Sequence, residues 1–288
     1  KEAILSVEGV SLLDMDPGAA TNRTVVTIVG EPEPVGEAAF RAIKRASELI
    51  DMREHKGEHP RMGATDVCPF VPVANMTMDD AVELSKKVGK RVGDELGIPV
   101  YMYEYSRTSE DRKSLAKIRK GEYEGLEEKM KDPNWKPDFG PEKFNAKAGA
   151  TVMGAREFLI AYNLNMNTKN VKRVKRIAKR IRTKGWRKKQ PEGGRKRVKG
   201  RLDAVRAVGW FIDEYDRAQI SVNLTSYKTT PLWKLFEVAC DEAEKWGFRI
   251  TGSELVGLIP LEAIIETGEH FLKKTKHSRA VSEEEKIN

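Results

Sequence analysis

The chain has 288 residues, 39% of them hydrophobic and 33% charged, with a formal net charge of +8. That length supports one large domain or two of ordinary size, each with a real core. No apolar run approaches the ~20 residues of a membrane-spanning helix, no secretory leader is visible, and two cysteines are too few for a disulfide framework.

The charge is uneven. Residues 169–201 hold 17 Lys or Arg against one acid, Glu192, so they carry +16 and the remainder carries −8. The chain reads as a mildly acidic, soluble globule with one very basic segment, and its overall charge does not by itself imply nucleic-acid binding. Cys68 and Cys240 sit among apolar neighbours and are expected as buried free thiols, which fits a cytoplasmic protein.

Residues 1–6 resemble the end of a helix. Val10 to Asp14 and Arg23 to Val29 read as strands, and Asp16 to Asn22 between them as a polar turn in which Asp and Asn satisfy local backbone groups. Pro34 precedes a helix over 35–50, with Ala38, Ala42, Ile43 and Ala46 on one face. A loop over 55–66 leads into a strand over 67–73. Thr77 to Asp80 is an acidic helix start, and the helix it opens reaches Gly97. Ile98 to Tyr105 is an aromatic, alternating strand. Residues 106–131 are helical in pattern, and 132–150 form a long irregular segment with Trp135, Phe139, Pro141 and Phe144, the kind of segment that often binds a ligand.

A second α/β unit begins near Phe158. Its expected order is strand 158–166, helix from Thr168, a mobile surface loop over 185–200, paired strands over 204–213 and 217–227, a helix from Pro231 to Trp246, a short strand 248–251 and a last helix 261–272. That is the split βαβ pattern of ferredoxin-like folds. The first half is expected to repeat it without its first strand, so the fold class is α/β (α+β) with two βαββαβ-type subdomains, 1–157 and 158–288.

Chemistry concentrates in His55 to Phe70. Two of the four histidines lie there with Arg61, Glu58 and Asp66, and Gly57, Pro60 and Gly63 shape a loop. Histidine titrates near neutral pH, so this is either an active-site loop or a well-anchored structural one. Spacing gives little support to a metal: Gly57 and Pro60 argue against a helix that would align His55 with His59, and there is no HExxH pattern or cysteine pair. Residues 252–257 have no phosphate-loop ending. The basic segment is an amphipathic helix with a solvated face. Trp186 is its single aromatic residue, so a stacking platform for single-stranded nucleic acid is weakly supported.

His55–Ala64 followed by Asp66–Phe70 resembles the glutamate formimidoyltransferase family. Leu12–Asp14 with Asp16, Thr21–Val25, Ile118–Arg119, Gly121–Glu124, Pro137–Pro141, Gly149–Thr151, Gly154–Arg156, Phe158–Ala161 with Asn163, Ser221–Leu224, and Gly252–Ser253 with Leu255–Leu258 are similar to it as well. The resemblance covers roughly residues 1–273. It implies transfer of a formimino group from N-formimino-L-glutamate to N5 of tetrahydrofolate, in histidine degradation and one-carbon metabolism, with tetrahydrofolate as co-substrate and no metal. It also implies two subdomains whose sheets enclose a folate-binding tunnel.

The family's acid/base histidine falls on His59, and its folate-contacting loop on Gly140, Pro141, Phe144 and Gly149. Asp16 is a candidate to stabilise a cationic formimino group. Asn22, Arg23 and Arg61 are candidates to orient substrate or its carboxylates, and His55 is a supporting residue. The resemblance further implies a strand bearing an asparagine-containing loop ahead of Lys1, and a separate protein for any cyclodeaminase step. Expected partners are the two substrates, including polyglutamylated folate, and a second copy of the chain. No membrane or nucleic-acid partner is expected. A formyl donor, N-formylglutamate, and a non-catalytic folate- or polyanion-binding role are the competing readings.

Overall fold

In the computed structural model, residues 1–275 are described, except Ala20 and Glu58. The expected roles of Ala20 in the polar turn, Glu58 in the histidine loop and the acidic end 282–288 lie outside the described residues. Backbone contacts divide the chain into two compact units, Lys1–Glu157 and a second beginning at Phe158.

In the first unit a short helix, α1 (Glu2–Leu5), precedes an antiparallel hairpin, β1 (Val10–Gly18) and β2 (Arg23–Gly30). The hairpin runs further than expected. Asp14 lies on β1 opposite Thr27 as expected, and Asp16, read from sequence as a turn residue, also lies on β1, opposite Val25. Past Gly18, Asn22 takes a positive φ of 46° and its N–H donates to Ala19 O at 3.0 Å. Asparagine tolerates that left-handed conformation better than most residues.

Helix α2 (Pro32–Leu49) starts before Pro34, because proline in a first turn withholds an N–H that has no intrahelical acceptor anyway. Strand β3 (Val67–Phe70) follows the histidine loop. Helix α3 (Met78–Leu96) opens on a reciprocal cap: Asp80 N–H donates to Thr77 Oγ1 at 3.1 Å and Thr77 N–H to Asp80 Oδ2 at 2.9 Å. Strand β4 (Val100–Met102) is shorter than the alternation suggested. Residues 106–131 are not one helix but two short ones, α4 (Leu115–Ile118) and α5 (Leu126–Met130), after two 3-10 turns. Gly121 and Gly125, with positive φ at Gly121 and Glu122, interrupt them.

Strand β5 (Thr151–Ala155) is buried throughout and pairs in parallel with β3 on one side and β4 on the other. Strand pairing in this unit, among the described residues, is thus an antiparallel hairpin plus a parallel three-stranded sheet, and its opening order α1-β1-β2-α2-β3 is compatible with a βαββαβ unit that lacks its first strand. Parallel strands buried on both faces read as continuous apolar runs, which is why Val152, Met153, Val100 and Tyr101 are fully enclosed.

In the second unit β6 (Ile160–Met166) leads to α6 (Val171–Ile181), capped where Arg173 N–H donates to Asn170 Oδ1 at 3.1 Å. Val174, Ile177, Ala178 and Ile181 face the core. The stretch expected as a mobile loop is a hairpin, β7 (Trp186–Lys189) and β8 (Arg195–Val198). The five residues between them hold Pro191, Gly193 and Gly194, and this turn chemistry lets two charged strands pair. Then come β9 (Val205–Ile212), β10 (Arg217–Leu224), α7 (Leu232–Glu244), β11 (Ile250–Val256) and α8 (Leu261–Thr275). The glycine-containing stretch 252–256 is therefore part of a strand.

The sheet order is β11-β6-β10-β9, all antiparallel, an order compatible with the ferredoxin-like arrangement. Ile220, Val222 and Leu224 alternate into the core against α6 and α7, so Gln219, Ser221 and Asn223 take the opposite face. Neither cysteine is fully buried: Cys68 and Cys240 are free and partly exposed. Among the described residues no helix is long and apolar enough to cross a membrane.

Candidate active site

The histidine loop is fixed at both ends by backbone. At its start, a Cβ on Gly57 would stand 2.3 Å from Thr21 O and 3.0 Å from the Asn22 side chain. Only glycine lets the loop lie this close to the β1–β2 turn. Asn22 Nδ2 donates to Lys56 O at 2.7 Å, and His55 Nε2 donates to Asn22 O at 2.8 Å. At its end, Gly63 bridges to Gly149. Ala64 N–H donates to Ala148 O at 2.9 Å and Ala150 N–H to Met62 O at 3.1 Å. Gly149 has φ +68°, and a Cβ there would meet Met62 O at 2.1 Å.

Between these anchors, His59 meets Arg23 from the start of β2. Arg23 Nη1 lies 2.7 Å from His59 Nε2 and 3.3 Å from Nδ1. His59 Nδ1 lies 2.7 Å from Pro60 O. A carbonyl only accepts, so the imidazole proton sits on Nδ1, and Nε2 accepts from the guanidinium. The ring is neutral. Burial, then Arg23, then Arg119 lower its pKa from the ordinary 6.5 to about 4, opposed by the Pro60 hydrogen bond and Asp66.

Beneath it is an ion pair that sequence reasoning did not single out. Arg119 holds Asp66 through Nη2, and its Nε donates at 3.2 Å. Asp66 Oδ1 also accepts from Met62 N–H at 2.9 Å. Both residues belong to strings that carry the family resemblance, which was the available signal. Asp16 is close enough to Arg23 to oppose the lowering of its pKa by burial and Arg119. The structure thus gathers Asp16, Arg23 and His59 with Asp66 and Arg119.

The other sequence candidates behave differently. Arg61 is 7% exposed. Its fork donates to Glu124 at 2.8 and 2.7 Å, to His55 O at 2.8 Å and, more weakly, to Glu122 at 3.4 Å. Arg61 therefore ties the loop to the segment between α4 and α5. His55 Nδ1 faces Arg61 Nε at 3.4 Å, a supporting position. Asn22 makes the turn contacts already given. Gly140, with φ +81°, packs its backbone against Gly93 and Ile98. Phe144 tilts against Tyr123 with ring centroids 5.4 Å apart, and Tyr123 OH donates to Ala146 O at 2.6 Å. Within 140–149, Ala148 and Gly149 are the residues that the contacts above bring to the histidine loop.

The second unit carries a separate polar network on the sheet face opposite its core. Gln219 Nε2 donates to Asn165 Oδ1 at 2.8 Å and Glu254 Oε2 at 3.3 Å. Asn163 Nδ2 donates to Glu254 Oε2 at 3.2 Å, and Trp210 Nε1 to Gln219 Oε1 at 2.8 Å. Among the described residues, no group of three or more His, Cys, Asp or Glu could hold a metal ion.

Fold and site together define a mixed α/β protein whose histidine loop carries a neutral, arginine-capped imidazole. The chain belongs to the formiminotransferase family: the model of the formiminotransferase domain, N-terminal subdomain, matches residues 1–156, and that of the formiminotransferase domain matches 161–288. It is 49% identical to a formimidoyltransferase-cyclodeaminase of Dictyostelium discoideum over 95% of its own length and 49% of the relative's. It is 44% identical to a glutamate formimidoyltransferase of Streptococcus pyogenes over 93% of its length and 85% of the relative's. The identity to that of Thermoplasma acidophilum is also 44%, over 95% and 86%. The chain spans about half the length of the bifunctional relatives it matches.

Proposed function

We propose that the protein transfers the formimino group of N-formimino-L-glutamate to N5 of tetrahydrofolate, with His59 carrying the proton. The observation that carries this reading is the neutral His59, its Nδ1–H fixed on Pro60 O and its Nε2 lone pair directed at Arg23. Relatives named glutamate formimidoyltransferase support the substrates.

Folate N5 attacks the formimino carbon while Nε2 takes the N5 proton. A tetrahedral intermediate forms, the bond from carbon to the glutamate nitrogen breaks, and the same proton passes from Nε2 to that nitrogen. Atoms balance: 5-formimidoyltetrahydrofolate and L-glutamate leave, and the imidazole returns to its starting state. Such acid–base help is worth roughly 10²–10⁴-fold.

A base with a pKa of about 4 and a guanidinium on its lone pair is masked. The glutamyl substrate brings two carboxylates, and guanidinium pairs better with a carboxylate than with a neutral imidazole. Substrate binding at Arg23 therefore uncovers Nε2 and offsets the nearer of the two charges that, after burial, depress His59. Asp16 stands beside Arg23 to stabilise the formimino cation. Asn22 and Arg61 hold the loop, and residues 140–149 contact folate. A cytoplasmic homodimer belongs to the same reading.

Assays with the formimino and the formyl donor, each with tetrahydrofolate, test it. Product from the formimino donor is expected, and product from the formyl donor alone refutes it.

A further inference from the structure

The second unit carries a concavity of its own. It has a volume of about 620 Å³ and is lined by Arg176, Lys179, Arg180, Arg182, Lys184, Arg187, Arg195 and Arg197 with Trp186, Trp246 and Gly185. No acid is among them. That volume is in the range of ordinary ligand sites.

Two features separate this basin from a solvated basic face. The first is the hairpin register. Arg187 lies opposite Arg197, Lys188 opposite Lys196, and Lys189 opposite Arg195. Like charges directly opposite each other on an antiparallel pair are destabilising, yet three such pairs follow in succession. Arg197 also lowers the pKa of Arg182, after burial, so positive potential in the basin is not locally cancelled. Arg180 does have an acidic neighbour, Glu242 Oε1 at 3.4 Å, outside the lining.

The second is aromatic. Sequence reasoning found Trp186 alone, but the end of α7 brings Trp246 to the same basin from 60 positions away. The Arg180 guanidinium lies over both rings, 4.6 Å from the Trp186 centroid and 5.5 Å from that of Trp246, and Arg176 lies 5.9 Å from the latter. Both indoles are half-buried.

We propose that the basin and its hairpin form a binding site for single-stranded nucleic acid, with arginine forks on the phosphates and bases stacking on the indole and guanidinium faces. Six of the eight lining cations are arginine, whose planar fork matches phosphate and also stacks on bases. Indole faces accept any base, so binding is tolerant of sequence. A lipid surface fits less well, because the hairpin tip 190–194 is Gln-Pro-Glu-Gly-Gly, with no apolar wedge for a bilayer. A flexible polycarboxylate would use the charge but not the indoles. The site is independent of formimino transfer and shares no residue with the His59 cluster.

The test is fluorescence anisotropy of a labelled 12-mer oligo-dT with the full chain over ~50–200 mM salt. Competitors are poly-L-glutamate of matched charge and phosphatidylserine vesicles. Expected are quenching of tryptophan emission and an affinity that falls with salt at a log–log slope of about −3, from four to five phosphates at roughly 0.7 each. Arg187→Ser with Arg195→Ser and Arg197→Ser should flatten the slope and weaken binding at least about tenfold. That variant removes like-charge pairs, so its melting temperature should hold or rise. Trp186→Ala should lose about five- to tenfold with an unchanged slope. Equal binding by the triple variant, no binding at ~50 mM salt, or displacement by polyglutamate or vesicles at least as effective as by unlabelled oligonucleotide would overturn the proposal.

Discussion

At the scale of single residues, the site is a question of who occupies a lone pair. His59 Nε2 accepts from Arg23, and burial with two arginines keeps the ring neutral. Arg23→Gln removes the nearer charge, so the His59 pKa, followed by NMR of the ring protons, should rise from about 4 toward 6.5, while turnover falls because the carboxylate partner is lost. A pKa unmoved by the substitution would mean that burial and Arg119 set it without Arg23. Arg61→Ala should destabilise the fold by about 2–4 kcal/mol in urea titration, since it strips a buried fork from Glu124 and leaves His55 O without its donor. Arg61→Lys should recover only part of this, as an ammonium cannot pair bidentately.

Residues were unevenly legible at this scale. His59 could be singled out because histidine, glycine and proline crowd one short stretch. Asp66 was legible as an acid of that stretch, but its pairing with Arg119 was not, because the two are 53 positions apart and nothing in their spacing announces an ion pair. Asp16 was misplaced in a turn because local Asp-Pro-Gly chemistry suggests one, whereas cross-strand pairing carries β1 on to Gly18.

At the scale of elements, the loop works because neighbouring backbone leaves no room for side chains. Gly149→Ala both strains a positive φ and drives a methyl to 2.1 Å from Met62 O. It should cost well over 1 kcal/mol in thermal or chemical unfolding and lower activity as the anchor of the histidine loop shifts. Gly268→Ala is the control. It lies in α8 with nothing within 4 Å of the added methyl, so it should stabilise by about 0.5–1 kcal/mol. A Gly149→Ala protein as stable as wild type would contradict the close approach. Element types were legible wherever a long apolar stripe existed, as in α2, α3, α6 and α7. Legibility failed over 106–131, where charged residues mimic a helical pattern but glycines break it, and over 185–200, where strand pairing between two runs of cations has no hydrophobic period to reveal it.

At the scale of the molecule, each unit has its own hydrophobic clusters. A parallel sheet is assembled from strands far apart in sequence, here β3 and β5, so its order cannot be read from local pattern. The half-buried His59 also ties stability to pH. Its folded pKa lies below the unfolded value near 6.5. The unfolded chain therefore binds a proton that the native one refuses, and stability falls as pH drops from about 6.5 to about 4. His59→Gln should remove that part of the acid sensitivity in melts across this range, and an unchanged pH profile would contradict the buried neutral imidazole.

The measurement that bears most directly on the central claim is steady-state formimino transfer to tetrahydrofolate by the wild-type chain and His59→Gln, side by side. The account predicts product with the wild type and a loss of about 10²–10⁴-fold in kcat for a folded variant that still binds folate. A variant that turns over within a few-fold of wild type would contradict His59 as the proton carrier.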